Sequence, residues 1–316
     1  MQLWPDEYED LRPEMRTASS AAAEVMNRPQ DPDLSVEARV AQQRAIMSAL
    51  AEPRDDAIEQ EIAGVPCRLF VPDGPPRGVY LHFHGGGMIL GDPAMNDAGN
   101  HDLMTRHQLA VVSVDYRLAP EHPHPAGPED GETVAAWLIE HARSEFGTSR
   151  LLTGGESAGG YMAAITLLRV RDHLGAVERF VGANLVFGVF DWGRSPSQRG
   201  IRPSTGADML SPEGIVFFTE CYLPGRSDDE RRDPTVSPAF ADLSDMPPAL
   251  MTVGTADHLL DDTMVLAARW AAYENEVDLH VLPDAPHGFY MFEDAELSRR
   301  HHRRVHDWFT AVLARP

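Results

Sequence analysis

Apolar residues fall into two regimes along the chain, and the change between them near residue 57 divides it. Before that point, 19–26 is Ala-rich, and Val36, Val40, Ile46, Met47 and Leu50 recur at helical spacing behind Ser35, a residue type suited to capping a helix start. Helices and turns are therefore expected up to about Pro53, with no strand. Beyond it the apolar runs become short and extended: 58–62 and 67–71, separated by Gly64-Val65-Pro66, read as a hairpin. Further runs at 79–83, 109–114, 150–153, 183–187, 249–253 and 277–282 follow, with helical stretches between most of them. Strands that alternate with helices build an α/β fold around a mostly parallel sheet covered on both faces.

The interval 191–238 breaks that alternation. It is rich in Pro, Gly and charge and carries one expected helix, Pro212–Tyr222. Structureless loops of this length are uncommon in compact domains, so the interval reads as an inserted cap piece. The expected organisation is a catalytic domain over 54–316, with a helical cap assembled from 1–53 and the insertion 191–238.

Composition narrows the partners. The chain has 316 residues and no Lys, so Arg carries all 27 positive charges against 49 Asp and Glu, a net charge of −22. That balance argues against nucleic acid and anionic lipid as main partners, because phosphate binding needs basic clusters. Apolar residues at 43% supply enough material for a sizeable core. Cys67 and Cys221 stand alone, without a CxxC or a Cys/His grid, which signals neither a disulfide framework nor a zinc module. The acidic start lacks the features of a signal peptide, and the longest apolar run, 180–190, is far short of the ~20 residues that span a bilayer. A cytoplasmic location with no membrane span is expected.

Two Gly-rich turns carry the chemistry. Gly155-Glu-Ser-Ala-Gly159 lies between an apolar run and a helical stretch, the setting of a nucleophile elbow in which a sharp turn pushes the Ser157 hydroxyl outward. His84-Gly-Gly-Gly87 follows an earlier strand, where small residues let backbone N–H groups approach a negatively charged oxygen. Either turn alone is weak, but the pair points to acyl transfer. An acid and then a His should follow, each beyond a strand. Asp257 comes after 249–255, and His287 sits in Asp284-Ala-Pro-His-Gly-Phe289. Asp261 and Asp262 are read instead as residues of the next helix start, where acidic side chains favour the dipole.

With these motifs, and with Asp115-Tyr-Arg-Leu-Ala-Pro-Glu121 and Asp233-Pro-Thr-Val-Ser-Pro238, the chain from about Ala57 onward resembles the hormone-sensitive-lipase-like family of carboxylesterases, also called bacterial type IV esterases. The resemblance implies an α/β-hydrolase fold and hydrolysis of a small-molecule ester through Ser157, Asp257 and His287. It implies oxyanion donors on the backbone of Gly86, Gly87 and Ala158, a pocket wall including Met88, Phe190 and Trp192, and no cofactor or metal. A second copy of the chain is a candidate partner. Glu156, His258 and Met88 depart from residues common in the family at those places. Amidase or deacetylase use of the same triad, and a receptor role like that of plant gibberellin receptors, are the alternatives, although those receptors lack the catalytic His that this chain keeps. Asp115-Tyr-Arg117 is read as scaffolding, and the His pairs at 82/84, 122/124 and 301/302 as non-ligating, since no clustered carboxylates complete a metal site.

Overall fold

The computed structural model describes residues 2–26, 34–203 and 210–315, so the stretches 27–33 and 204–209 of the expected cap lie outside the described residues. After a short helical turn at Asp6–Leu11 come two helices, α1 (Arg12–Met26) and α2 (Val36–Leu50), and no strand precedes residue 58 among the described residues. Ser35 caps α2 as expected, its hydroxyl accepting from the Ala38 N–H. The hairpin follows as β1 (Ile58–Ile62) and β2 (Val65–Phe70). Its turn lies one step earlier than the sequence suggests, because Ala63 and Gly64 take the left-handed conformations and Val65 and Pro66 already pair with β1.

From there strands and helices alternate: β3 (Gly78–Phe83), α3 (Asp97–His107), β4 (Leu109–Val114), α4 (Ala126–Phe146), β5 (Leu151–Glu156), α5 (Ala158–Arg169) and β6 (Phe180–Val186). The interval after β6 holds α6 (Pro212–Tyr222), on the expected residues, and the short α7 (Asp228–Arg231). Then β7 (Ala249–Gly254), α8 (Leu260–Ala272), β8 (Val277–Leu282) and α9 (Glu296–Leu313) complete the chain. The eight strands form one sheet in the order β1-β2-β4-β3-β5-β6-β7-β8. The antiparallel pairs are β1 with β2 and β2 with β4, and the six strands β4-β3-β5-β6-β7-β8 are parallel to one another.

Both faces of the sheet are covered. Tyr80, Val111, Leu152 and Leu250 pack against Leu103 and Met104 of α3 and against Trp308, Phe309 and Val312 of α9. Their neighbours along the strands, Val79, Leu81 and Phe83, point to the opposite face and meet Val134, Leu138, Ile165 and Leu167 of α4 and α5. Period-two alternation sends successive side chains to opposite faces, and with helices on both sides each strand reads as continuously apolar. Because β4 and β5 lie on opposite sides of β3, the strand order reverses between β3 and β5. In open α/β sheets ligands bind at the carboxyl end of such a reversal. The two Gly-rich turns occupy that place.

The elbow fits there only without side chains. A Cβ added at Gly155 would lie 2.1 Å from the Phe83 carbonyl oxygen, and one at Gly159 would lie 1.9 Å from the same atom. Gly159→Ala is therefore expected to destabilise the protein by about 3 kcal/mol or more. Gly99 in α3 has open space around it, so Gly99→Ala should instead stabilise by about 0.5–1 kcal/mol. Thermal unfolding of the two variants beside the parent checks both signs.

Candidate active site

Ser157 sits between β5 and α5 with φ 58° and ψ −119°, a conformation that L residues rarely adopt. Its N–H donates to the Val186 carbonyl at 2.9 Å and its carbonyl accepts from Tyr161 N–H at 3.1 Å, so both sides of the strained residue are tied down. The hydroxyl lies 2.9 Å from His287 Nε2, and His287 Nδ1 lies 2.9 Å from Asp257 Oδ2. Asp257 is fully buried and its other oxygen accepts from Leu259 N–H at 2.8 Å. The fixed carboxylate directs the Nδ1 proton toward itself and leaves Nε2 facing the hydroxyl. Thus the three residues singled out from sequence form one continuous relay.

Across from the serine, Gly86 and Gly87 turn back with φ 124° and 62°. Among the described residues the N–H groups of Gly86, Gly87 and Ala158 have no acceptor, and Ala158 opens α5. First-turn N–H groups of a helix have no partner within the helix. A Cβ at Gly86 would lie 2.1 Å from the Leu90 carbonyl oxygen, and one at Gly87 would meet the Phe218 ring at 2.7 Å. Phe218 of α6 thus lies over the turn. Phe187 comes within 4.6 Å of the His287 ring, and Tyr290 stacks on Phe187 at 5.8 Å, between centroids. Sequence reasoning did not single out these three aromatics. Only the adjacency of Phe187 to the end of a strand run and of Tyr290 to His287 carried any signal, and nothing local marked Phe218.

Met88, Phe190 and Trp192, the residues expected to wall the pocket, are all buried. Met88 Cε reaches Gly127, and Trp192 packs between Tyr161 and Tyr222. A side chain without accessible surface supports a wall from behind.

Asp115-Tyr-Arg117 behaves as scaffolding for the first Gly turn. Tyr116 donates its hydroxyl proton to the His84 carbonyl at 2.8 Å and stacks on the His84 ring at 4.3 Å. Arg117 binds Asp130 through Nε at 2.9 Å and through its backbone N–H at 2.8 Å. Burial pushes His84 down to about 4, so it is neutral at neutral pH and donates Nδ1–H to the Gly85 carbonyl. His82 points elsewhere: Ser113 Oγ and Asn100 Nδ2 face its Nδ1, and its Nε2 faces Glu156 at 3.4 Å. Glu156 also accepts from Asn96 at 3.1 Å. His258, where the resembled family commonly has Pro, holds the insertion: its Nδ1 faces the Ser197 carbonyl at 2.8 Å and its own carbonyl accepts from Ser197 Oγ at 2.9 Å.

Asp261 and Asp262 do stand in the first turn of α8, but they do not share one role. Asp261 accepts from Ser197 N–H at 2.8 Å. Asp262 is buried and accepts from the N–H groups of Phe190 and Asp191, the Ser195 hydroxyl and the Gln198 amide. Burial pushes its carboxyl up to about 8, against the pull of those donors. The dipole reading was incomplete for Asp262, since its dominant job is to organise the start of the insertion.

The comparisons with known proteins fit this geometry. The alpha/beta hydrolase fold family matches residues 80–291. Carboxylic ester hydrolase LipN of Mycobacterium tuberculosis is 34% identical over 273 residues, 81% of this chain and 71% of LipN. Carboxylesterase NlhH of the same organism is 34% identical over 243 residues, 73% of each chain. An esterase of Pyrobaculum calidifontis superposes with a TM-score of 0.80 at 26% identity, over 94% of this chain and 99% of its own. A hormone-sensitive lipase from a metagenome library superposes with a TM-score of 0.79 at 26% identity, over 97% of this chain and 98% of its own.

Removing the Asp262 carboxyl group would strand several buried donors, so Asp262→Ala is expected to cost about 3–5 kcal/mol, whereas Asp261→Asn should change stability by about 1 kcal/mol or less. Urea unfolding of the two variants checks the contrast, and equal costs would show that the two carboxylates are interchangeable after all.

Proposed function

We propose that this chain, which belongs to the hormone-sensitive-lipase-like carboxylesterases of the alpha/beta-hydrolase family, hydrolyses small to medium uncharged esters through a covalent acyl-enzyme. That it is a carboxylic ester hydrolase follows from the family. The finer reading rests on one observation, the 2.9 Å and 2.9 Å chain of contacts from Ser157 through His287 to Asp257, beside two glycine N–H groups that have no acceptor among the described residues.

The steps follow from that arrangement. His287 Nε2 takes the Ser157 proton while Oγ bonds to the ester carbonyl carbon, and the buried Asp257 carboxylate stabilises the imidazolium. The carbonyl oxygen becomes an oxyanion, and the N–H groups of Gly86, Gly87 and Ala158 receive it. Collapse breaks the bond to the alcohol, which leaves with the His287 proton. Water then gives a proton to His287 and attacks the acyl carbon, and collapse of the second intermediate returns the proton to Ser157 Oγ and frees the acid.

The aromatic surroundings of Phe187, Tyr290 and Phe218 suit an uncharged acyl chain, while a surplus of 22 negative charges disfavours anionic esters. The segments 1–53 and 191–238 together would form the cap that covers the site. Supporting this, Arg39 of α2 lies over the Phe217 ring of α6 at 3.8 Å. Arg44 of α2 binds the Ile89 and Ala119 carbonyls and Glu121 beside the first Gly turn.

Ser157→Ala is expected to lower turnover of a p-nitrophenyl ester on the order of 10⁶-fold and to abolish labelling by a fluorophosphonate, with the fold unchanged by circular dichroism. Asp257→Asn should lower turnover by ~10⁴-fold, because the imidazole then sits in the wrong tautomer. A Ser157→Ala protein with a tenth of the parental rate would refute the nucleophile.

A further inference from the structure

We propose that Arg12 and Arg16 of α1 are positioning residues for His287, holding its loop through the carboxylate of Asp284. The inference rests on the triad reading and extends it to the amino-terminal segment. Asp284 stands three residues before His287, is fully buried, and has a left-handed φ of 56°. Its N–H donates to the Thr255 hydroxyl at 2.8 Å. Beside it, Ala256 N–H donates to the Ala285 carbonyl at 3.1 Å and Thr255 N–H to the Leu282 carbonyl at 2.9 Å. Thr255 and Ala256 directly precede Asp257, so the loop with the acid and the loop with the base are laced together at Asp284. Space is short there, since a Cβ at Gly254 would fall 1.9 Å from the Ala285 carbonyl oxygen.

The charge of this buried carboxylate is met from the far end of the chain. Arg12 grips it with both ends of its fork, Nε at 2.9 Å from Oδ2 and Nη2 at 3.1 Å from Oδ1. Arg16 Nε adds a third bond to Oδ2 at 2.6 Å. A bidentate Arg fixes orientation as well as charge. Losing both guanidinium groups removes three bonds that set the direction of this carboxylate, and a loop so loosened would carry His287 with it.

Other contacts keep α1 and the preceding turn in place without the two arginines. The Tyr8 hydroxyl lies 3.2 Å from His280 Nε2, Glu7 binds Arg300 at 3.0 Å, and Glu14 accepts from Glu296 N–H at 3.2 Å. Substituting the arginines therefore tests the clamp rather than the presence of the helix. Deleting the first thirty residues would not, because it removes clamp and cap together.

The experiment uses the full chain with Arg12→Gln/Arg16→Gln, measured on p-nitrophenyl esters from acetate to octanoate. Loss of positioning is expected to lower kcat by about 10- to 100-fold, since small displacements of a catalytic group have effects of that size. The loss should be equal at every acyl length, with KM within about twofold, because the missing interaction acts on the reacting groups and not on substrate binding. Fluorophosphonate labelling of Ser157 should slow by a similar factor. Arg12→Lys/Arg16→Lys should keep more of the rate than the Gln pair, because the cations remain while the bidentate fork is lost. If the Gln pair fails to fold, the single Arg16→Gln, at a half-exposed side chain, should show a smaller loss of the same kind. Unchanged kcat and labelling in a folded variant would overturn the proposal, as would a loss confined to long acyl chains with raised KM, or a Lys pair no better than the Gln pair. These outcomes leave the triad itself standing, which only an active Ser157→Ala protein would overturn.

Discussion

The site depends on how closely the nucleophile turn can approach the end of β3. Gly155 and Gly159 straddle Ser157 and both press on the Phe83 carbonyl, at distances no Cβ could occupy. That one contact sets the height of α5 above the sheet and forces Ser157 into its unusual backbone conformation. It also brings the serine alongside the turn that leaves β3. The Gly86-Gly87 turn and Ser157 thus follow neighbouring strands, β3 and β5, at the point where the strand order reverses. A sheet without such a reversal would send both connections over the same face and leave no crevice there.

Around that contact, carboxylates that are wholly or largely buried anchor the connecting loops. Asp130 holds Arg117, whose neighbour Tyr116 steadies the first Gly turn. Asp262 gathers the donors of 190–198, and Asp284 joins the His287 loop to α1. Asp97 does the same at the hairpin edge by pairing with Arg68. The chain is strongly acidic, yet these residues do not belong to its solvated surface. Each is surrounded by donors or by a guanidinium, and each gives a single geometry to a loop that would otherwise have many. Arg suits this work better than Lys because its planar fork fixes direction, and the chain uses Arg for all its side-chain cations other than His.

What could be read from sequence follows from how local the cause is. Strand runs, the elbow, the His84-Gly-Gly-Gly87 turn and the Pro212–Tyr222 helix were legible because each is set by neighbours in the chain, through period, glycine or capping. Asp257 and His287 could be singled out as candidates because each follows a strand run in the expected order after the serine. Phe218 and Phe187 were not, since their relation to the site depends on how α6 and the end of β6 are carried over it. Met88, Phe190 and Trp192 looked like wall residues because they adjoin the right motifs. Adjacency in sequence does not say which way a side chain turns, and all three turn into the core.

Asp284 shows the same limit from the opposite direction. In sequence it is an ordinary acidic residue in a turn before His287, and Arg12 and Arg16 are ordinary charges on an amphipathic helix. Their meeting spans nearly the whole chain, and no local pattern encodes it. Closing so long a loop costs conformational entropy that local elements do not pay. The cost can be met because α1 also gains contacts at His280, Glu296 and Arg300. Docked there, the helix offers two cations to a buried carboxylate in the loop next to the candidate base. The amino-terminal helix and the loop of the candidate base are therefore joined through one buried side chain, the link on which the proposed positioning role rests.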